Sequence, residues 1–416
     1  MRQFAILEQG RLRRIILLER YTVESCMDKR KFHFQVMSLG HALDHFFVLI
    51  FPTVVLVLQK EWGLSYAELL KYGSLGVLAY GLGSLPSGWL GDRWSQRGMM
   101  NVYFYGMGLS AILTALAQTP EQLAAGVAAI GLFASIYHPV GTAVVFSTAE
   151  KTGRAIAVNG VAGNIGLASA AIVTAFISEM INWQAAFIIP GIVCVLSGFA
   201  YSWVSGDVSA INRKGNGRDT ESLDRRSMIK LFMGIAVIAC LGGLVFQSMT
   251  TALPKMVESA FSGSLGQTGM VATIIFVLAA TVQMVIGELL DRVPARSLLL
   301  VIALGQVIFL ILASMVSGMA LIPVLICLMF FTFGQIPVND WLIGHYAADE
   351  WRSRFYAMKY TLGLSVATVA YWLIAVVHDN TGEFTLLYLV LAAIMSLSVV
   401  AAWFMPKTRA QQAVIA

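Results

Sequence analysis

Gly88-Trp89-Leu90-Gly91-Asp92-Arg93 returns 199 residues later as Gly287-Glu288-Leu289-Leu290-Asp291-Arg292, and Arg97 returns at the same spacing as Arg296. The chain has 416 residues, so the repeat falls about half a chain apart. A motif repeated at that distance marks an internal duplication, and duplicated membrane proteins are commonly built of two related halves that rock against each other. The duplication reaches beyond this turn. Pro139 matches Pro337 at a spacing of 198, and Arg154 and Ala157 match Arg354 and Ala357 at 200.

The sequence on either side of each copy is apolar. The chain is 58% hydrophobic and 12% charged, with a mean hydropathy of +0.75. A soluble domain carries about 25% charged residues. A span needs about 20 apolar residues, and twelve such runs are read: 36–58, 67–90, 99–118, 121–148, 156–178, 185–205, 229–252, 267–290, 297–317, 319–343, 355–377 and 384–405. With both termini on the cytoplasmic side, the alternate loops and tails hold 25 of the 28 Lys and Arg residues, leaving out Lys60, Lys71 and Lys255. That distribution obeys the positive-inside rule, and a missed span would scramble it. The expected fold is all-α: a polytopic membrane protein of twelve transmembrane helices in two pseudo-symmetric six-helix bundles around a central cavity.

The expected organisation is a cytoplasmic tail over 1–35, a bundle over 36–205, a linker over 206–228, a second bundle over 229–405 and a cytoplasmic tail over 406–416. The linker is polar, with Gly206, Gly215, Gly217 and mixed charges, and reads as a flexible tether. The first tail is basic and lacks a signal-peptide cleavage pattern. Met27, followed by Asp28-Lys29-Arg30-Lys31, offers a start for translation just before the first span, as an alternative to Met1. A net charge of +5 raises nucleic acid as a partner, but the basic residues sit in short loops between apolar runs, which excludes it. The four cysteines have no disulfide or zinc spacing. No cofactor and no metal site is expected. Trp62, Trp183, Trp203 and Trp403 read as membrane-interface anchors.

Two sets of six spans, with G-x-L-x-D-R-x-x-x-R after the second and the eighth, resemble the major facilitator superfamily. Its turn reads roughly G-x-L-A-D-R-x-G-R-R. The first copy keeps Gly88, Leu90, Asp92, Arg93 and Arg97 and departs at Ser95 and Gln96. The second keeps Gly287, Leu289, Asp291, Arg292 and Arg296 and departs at Pro294 and Ala295. The resemblance covers 36–405. It implies alternating access, with Gly88, Asp92, Arg93, Arg97, Gly287, Asp291, Arg292 and Arg296 as a conformational latch in the outward-facing state. It also implies a monomer. Physically, the carboxylates at these turns can complement a helix N-terminus, and the arginines can pair with acidic groups or lipid phosphates. A narrower likeness rests on Gly40–His45, Tyr137-His138-Pro139 and Gly163-Asn164-Ile165-Gly166, which look like the fosmidomycin-resistance branch of drug exporters. Asp44 and His45 stand where that branch tends to have Asn and Asp, so its substrate is not carried over. Gly160, Gly163 and Gly166 are also similar to the glycine-rich motif of antiporters, without that motif's proline.

Ionisable groups inside the bilayer are costly and mark function by default. His41, Asp44 and His45 follow the i, i+3, i+4 spacing that puts side chains on one helix face. Histidine titrates near neutral pH, so this face can take up and release a proton, or contact a substrate. His138 precedes Pro139, which breaks a helical hydrogen bond and suits a kink beside a cavity. In the tenth span, Gln335 and Asn339 share a face, and Asp340 reads as a second proton carrier or a helix-end charge. The expected cavity set is therefore His41, Asp44, His45, His138, Gln335, Asn339 and Asp340. Gln247 and Gln283 read as helix–helix contacts.

Enzyme readings fail. Lys151-Thr152-Gly153 and Ser227-Met228-Ile229-Lys230 mimic penicillin-binding signatures in reversed order and lie in loops. There is no P-loop and no HExxH. The expectation is a secondary active transporter in a bacterial inner membrane, driven by protons and exporting a small polar or drug-like solute. The alternatives are a proton-coupled importer of a metabolite, or a receptor on a transporter scaffold.

Overall fold

Ser65 and Ser264, 199 residues apart, start equivalent helices in the same way. The Ser65 hydroxyl accepts from the Glu68 N–H at 3.1 Å, and the Glu68 carboxylate accepts from the Ser65 N–H at 2.8 Å. The Ser264 hydroxyl accepts from the Gln267 N–H at 3.3 Å, and the Gln267 side-chain Oε1 accepts from the Ser264 N–H at 2.9 Å. Each pair is a reciprocal capping box that satisfies two otherwise orphaned donors. The duplication is thus written into helix starts as well as into loops.

The computed structural model describes residues 2–148, 152–206, 225–290, 292–346 and 349–405, and no strand occurs among them. The first six spans are α1 (Arg2–Trp62), α2 (Tyr66–Arg93), α3 (Gln96–Thr114), α4 (Pro120–Ala134) with α5 (Thr142–Thr148), α6 (Thr152–Met180) and α7 (Trp183–Val204). The next six are α8 (Arg225–Ala260), α9 (Leu265–Leu290), α10 (Ala295–Met315), α11 (Leu321–Tyr346), α12 (Asp349–Thr381) and α13 (Thr385–Phe404). The helix holding the first span begins well before residue 36. Ten spans, the fourth running Pro120–Thr148, are long and apolar enough to cross a membrane by length and composition. The other two, α2 and α3, are rich in glycine and polar residues, which lowers their hydropathy without shortening them.

Packing repeats between the halves. α1 packs on α6, α2 on α4 and α3 on α7; α8 packs on α12, α9 on α11 and α10 on α13. The halves meet through α2 against α12 and α6 against α9, two pairs that the internal symmetry interchanges. Close approach at the α6 side needs glycine. A Cβ on Gly166 would meet the Ala42 backbone of α1, and one on Gly269 would lie 2.6 Å from the Ala171 carbonyl of α6.

The fourth span differs from its counterpart. Between α4 and α5, Tyr137–Gly141 form a turn of π-helix, with the Thr142 N–H donating to the Tyr137 carbonyl. Pro139 has no N–H to continue the regular ladder, and such π-bulges recur at functional sites. Pro337, at the equivalent place, lies inside an unbroken α11. Trp203 and Trp403 are exposed, consistent with anchoring, whereas Trp183 is buried edge-on against Trp62 at 5.9 Å and packs a helix start instead.

Candidate functional site

The i, i+3, i+4 spacing on α1 does bring His41, Asp44 and His45 to one face, and three other helices complete the cluster. The π turn brings His138, α2 brings Tyr80, and α6 brings Asn159. Asp44 is fully buried. Its Oδ2 accepts from the Tyr80 hydroxyl at 2.8 Å and lies 3.5 Å from His138 Nε2. Its Oδ1 is buried with no hydrogen-bond partner.

The histidine roles follow from their partners. His41 Nδ1 lies 2.7 Å from the Asn159 carbonyl oxygen, which can only accept, so that nitrogen carries a proton. In the neutral ring, Nε2 is then an acceptor, and His45 Nε2 donates to it at 3.2 Å. Tyr137 stacks on His41, with ring centroids 4.9 Å apart and planes 15° from parallel. Its hydroxyl donates to the Met37 carbonyl at 2.6 Å and accepts from Asn159 Nδ2 at 2.9 Å. Asn159 therefore fixes both His41 and the ring on which it stacks. One turn along α6, Gly163 leaves room for the imidazoles, since a Cβ there would lie 2.9 Å from atoms of both His41 and His45. The next residue, Asn164, donates to the Gln283 side chain of α9 at 3.1 Å, so the cluster borders the seam between halves.

The other expected cavity residues lie in the second bundle. Gln335 is tied into a helix–helix network: its Nε2 donates to the Ile238 carbonyl at 2.9 Å, and its Oε1 accepts from Gln306 Nε2 at 3.0 Å. Asn339 is buried, and its Oδ1 has no hydrogen-bond partner. Asp340 forms an ion pair with Lys359 of α12. Lys359, which the sequence reading did not single out, lies within α12 and lines a cavity with Phe232, Ile235 and Ile343. Tyr80, Tyr137 and Asn159 were also missed. The signal available for Asn159 was an intramembrane amide one helical turn before Gly163.

At the repeated turns, the arginines bind within their own half. Arg97 donates to the Ser205 hydroxyl at 2.9 Å and to the Ser202 carbonyl at 3.2 Å, joining the start of α3 to the end of α7. Arg296 donates to the Trp403 carbonyl and sits over the Trp403 ring, joining the start of α10 to the end of α13. Arg93 lies 5.2 Å over the Trp89 ring, and Arg292 pairs with Glu288 at 2.8 Å. Asp92 is exposed, and the cap of α3 is Ser95. A Cβ on Gly88 would lie 3.3 Å from Pro139, whereas Gly287 has open space around it. Asp291 lies outside the described residues.

Hydrogen bonds between described residues of the two halves include Asn164–Gln283, the Thr273 hydroxyl of α9 donating to the Ala168 carbonyl at 2.8 Å and accepting from the Ile172 N–H at 3.2 Å, and a set toward the opposite end of the bundle. There Lys71 meets Asp379, Lys255 meets Gln59, and Glu179 meets Ser264 and Gly266. That end is closed by polar contacts.

Residues 37–341 match the Major Facilitator Superfamily. The chain is 27% identical over 214 residues to the niacin transporter NiaP of Acinetobacter baylyi, covering 50% of this chain and 48% of that protein. It is 24% identical over 258 residues to the probable L-galactonate transporter of Escherichia coli, covering 57% and 56%. These matches thus span about half of each relative. Among solved structures, the D-xylose–proton symporter superposes with a TM-score of 0.72 at 15% identity, over 90% of this chain and 98% of that one. The POT family transporter PepTSo also gives 0.72, at 10% identity over 92% and 98%. At these identities the likeness is one of fold.

Proposed function

The chain belongs to the major facilitator superfamily, a family of transporters and not of enzymes, and we propose that it moves a small polar solute across a bacterial inner membrane by alternating access. The observation that carries this reading is the Asp44–His138–His41–His45 cluster, with Asp44 and His41 buried and His45 and His138 partly so, bordering the seam where α6 meets α9. A carboxylate and three imidazoles inside a bilayer are expensive to insert, and their place at the mobile boundary suits a solute site. The contacts at the Lys71–Asp379 end close the site from one side. Access would alternate by parting them and joining the halves at the repeated turns, where the two glycine–aspartate–arginine motifs act as the latch.

The remaining elements of the reading are a proton-driven exporter, a monomer, and both termini in the cytoplasm. The intramembrane Asp44 and histidines, groups able to carry a proton, support an ion gradient as the energy source. Export is supported by the likeness of Gly40–His45, Tyr137–Pro139 and Gly163–Gly166 to the fosmidomycin-resistance branch. Niacin and L-galactonate, named for two relatives, are carboxylic acids, which makes organic anions the first solutes to try.

The test is flux in proteoliposomes holding a pH-sensitive dye. A solute gradient directed through the protein should move protons in the opposite sense. Co-directional movement would replace export by symport. Silence across anions, sugars and cations, with the protein shown folded, would contradict transport.

A further inference from the structure

His41, His45 and His138 each offer a ring nitrogen, and the three nitrogens lie within 4.8 Å of one another. We propose that they bind one divalent transition-metal ion, and that such an ion, bare or held by a small chelator, is the solute. The site stands on geometry alone; the assignment as solute rests on the transport reading above.

The arrangement meets the requirements of an imidazole site. Zinc-like ions sit about 2.0–2.1 Å from each histidine nitrogen, which in tetrahedral geometry puts the nitrogens about 3.3 Å apart. His41 Nε2 and His45 Nε2 are 3.2 Å apart. An ion there would replace a hydrogen bond between two imidazoles by two bonds to metal. The third ring is within reach by a small side-chain rotation, with ring centroids 5.3 Å from His41 and 5.4 Å from His45.

The surroundings also match. A metal-binding histidine characteristically donates its other N–H to a carbonyl or carboxylate, which fixes ring orientation and strengthens the ligand. His41 does so to the Asn159 carbonyl at 2.7 Å. His138 directs Nε2 at Asp44 from 3.5 Å, so it would coordinate through Nδ1. The Asp44 charge would offset part of the ion's charge in a low-dielectric site. Tyr137 stacked on His41 and the missing Cβ of Gly163 hold the rings together. Three neutral imidazoles suit Zn²⁺, Co²⁺ or Ni²⁺ over Mg²⁺ or Ca²⁺, which take oxygen ligands. A fourth coordination position would be left for water or a chelator, as in open three-ligand sites.

The experiment is titration of the purified full chain in detergent with Co²⁺, read by its visible d–d absorption and by bound-metal analysis. The result expected is one Co²⁺ per chain, displaced by Zn²⁺ and not by Mg²⁺. His45→Gln and His138→Gln should weaken binding by more than 100-fold, and Asp44→Asn by about 10–100-fold, as for an outer-shell partner. Circular dichroism and size exclusion establish that each variant is folded. No Co²⁺ bound to the folded native chain, or equal binding by the histidine variants, overturns the site. The same preparations in liposomes with a Zn²⁺-sensitive dye separate the two readings. Binding with no metal movement, while an organic solute is moved, overturns the solute assignment and leaves transport standing. Binding with no solute moved at all overturns transport and leaves the site. Metal movement lost in His45→Gln supports both.

Discussion

Glu179 and Asp379, 200 residues apart in the sequence, close the same end of the molecule from opposite halves. Glu179, at the end of α6, accepts from the Gly266 N–H at 2.5 Å and from the Ser264 hydroxyl at 3.2 Å, so it caps α9 of the other half. Asp379, near the end of α12, accepts from Lys71 near the start of α2 at 3.2 Å. Glu179 spans the α6–α9 pair and Asp379 the α2–α12 pair, the two most extensive contacts between the halves.

These contacts differ in strength, and the difference predicts unequal effects. Lys71 and Asp379 are 48% and 47% exposed, and exposed pairs are worth about 0–1 kcal/mol. A carboxylate on a helix N-terminus contributes about 0.5–2 kcal/mol as a cap. Glu179→Ala should shift the balance between closed and open ends by about 2–10-fold, and Asp379→Asn by less. Distances between spin labels across the α6–α9 and α2–α12 pairs measure both. Equal effects would contradict the ranking.

Gly160, Gly163 and Gly166 of α6 should respond differently to alanine. Gly160 has no atom within 4 Å of an added Cβ, so Gly160→Ala should be neutral, or stabilising by up to about 1 kcal/mol through helix propensity. Gly163→Ala presses a methyl on His41 and His45 and should weaken solute or Co²⁺ binding about 10-fold or more while the fold survives. Gly166→Ala meets the Ala42 backbone, which cannot rotate away, and should destabilise by about 1–3 kcal/mol. Thermal unfolding in detergent, paired with Co²⁺ titration, distinguishes the three.

Much of the architecture was legible because bilayer thickness and loop charge constrain it directly. The repeated turn pointed to two related halves, and the His41–Asp44–His45 spacing pointed to one face of the candidate cluster. The rest of the site was not legible, because its partners arrive from other helices. His138 is 97 residues from His41, and Asn159 reaches it through a backbone carbonyl, which no side-chain pattern encodes. The π turn at Tyr137–Gly141 was visible only as a proline. Gln335 read as a cavity residue because an intramembrane amide looks the same facing solute or another helix.

Gln335 offers a direct contrast between those roles. Its amide bridges Gln306 and the Ile238 carbonyl. Gln335→Ala would leave both without that partner in a buried setting, at about 1–3 kcal/mol. The expected outcome is a lower unfolding temperature with solute affinity within about 2-fold of native. A loss of affinity at unchanged stability would place Gln335 in the solute site.

Arg97 and Arg296 tie the first helix turn after each repeated motif to the last helix of the same half. Arg97→Ala and Arg296→Ala should each lower stability by about 1 kcal/mol, the scale of an ordinary hydrogen bond at an exposed site. Arg97→Lys should recover only part of this, because lysine lacks the fork that reaches Ser202 and Ser205 together. Unfolding temperatures of the four proteins check the ordering.

The most direct measurement is solute-driven proton movement in proteoliposomes, comparing the native chain with Asp44→Asn across organic anions, sugars and transition-metal ions. The account predicts that at least one solute moves protons through the native protein in the antiport sense, and that Asp44→Asn, folded and inserted, abolishes it. Equal flux through both proteins would remove the Asp44 cluster from the pathway and contradict the account.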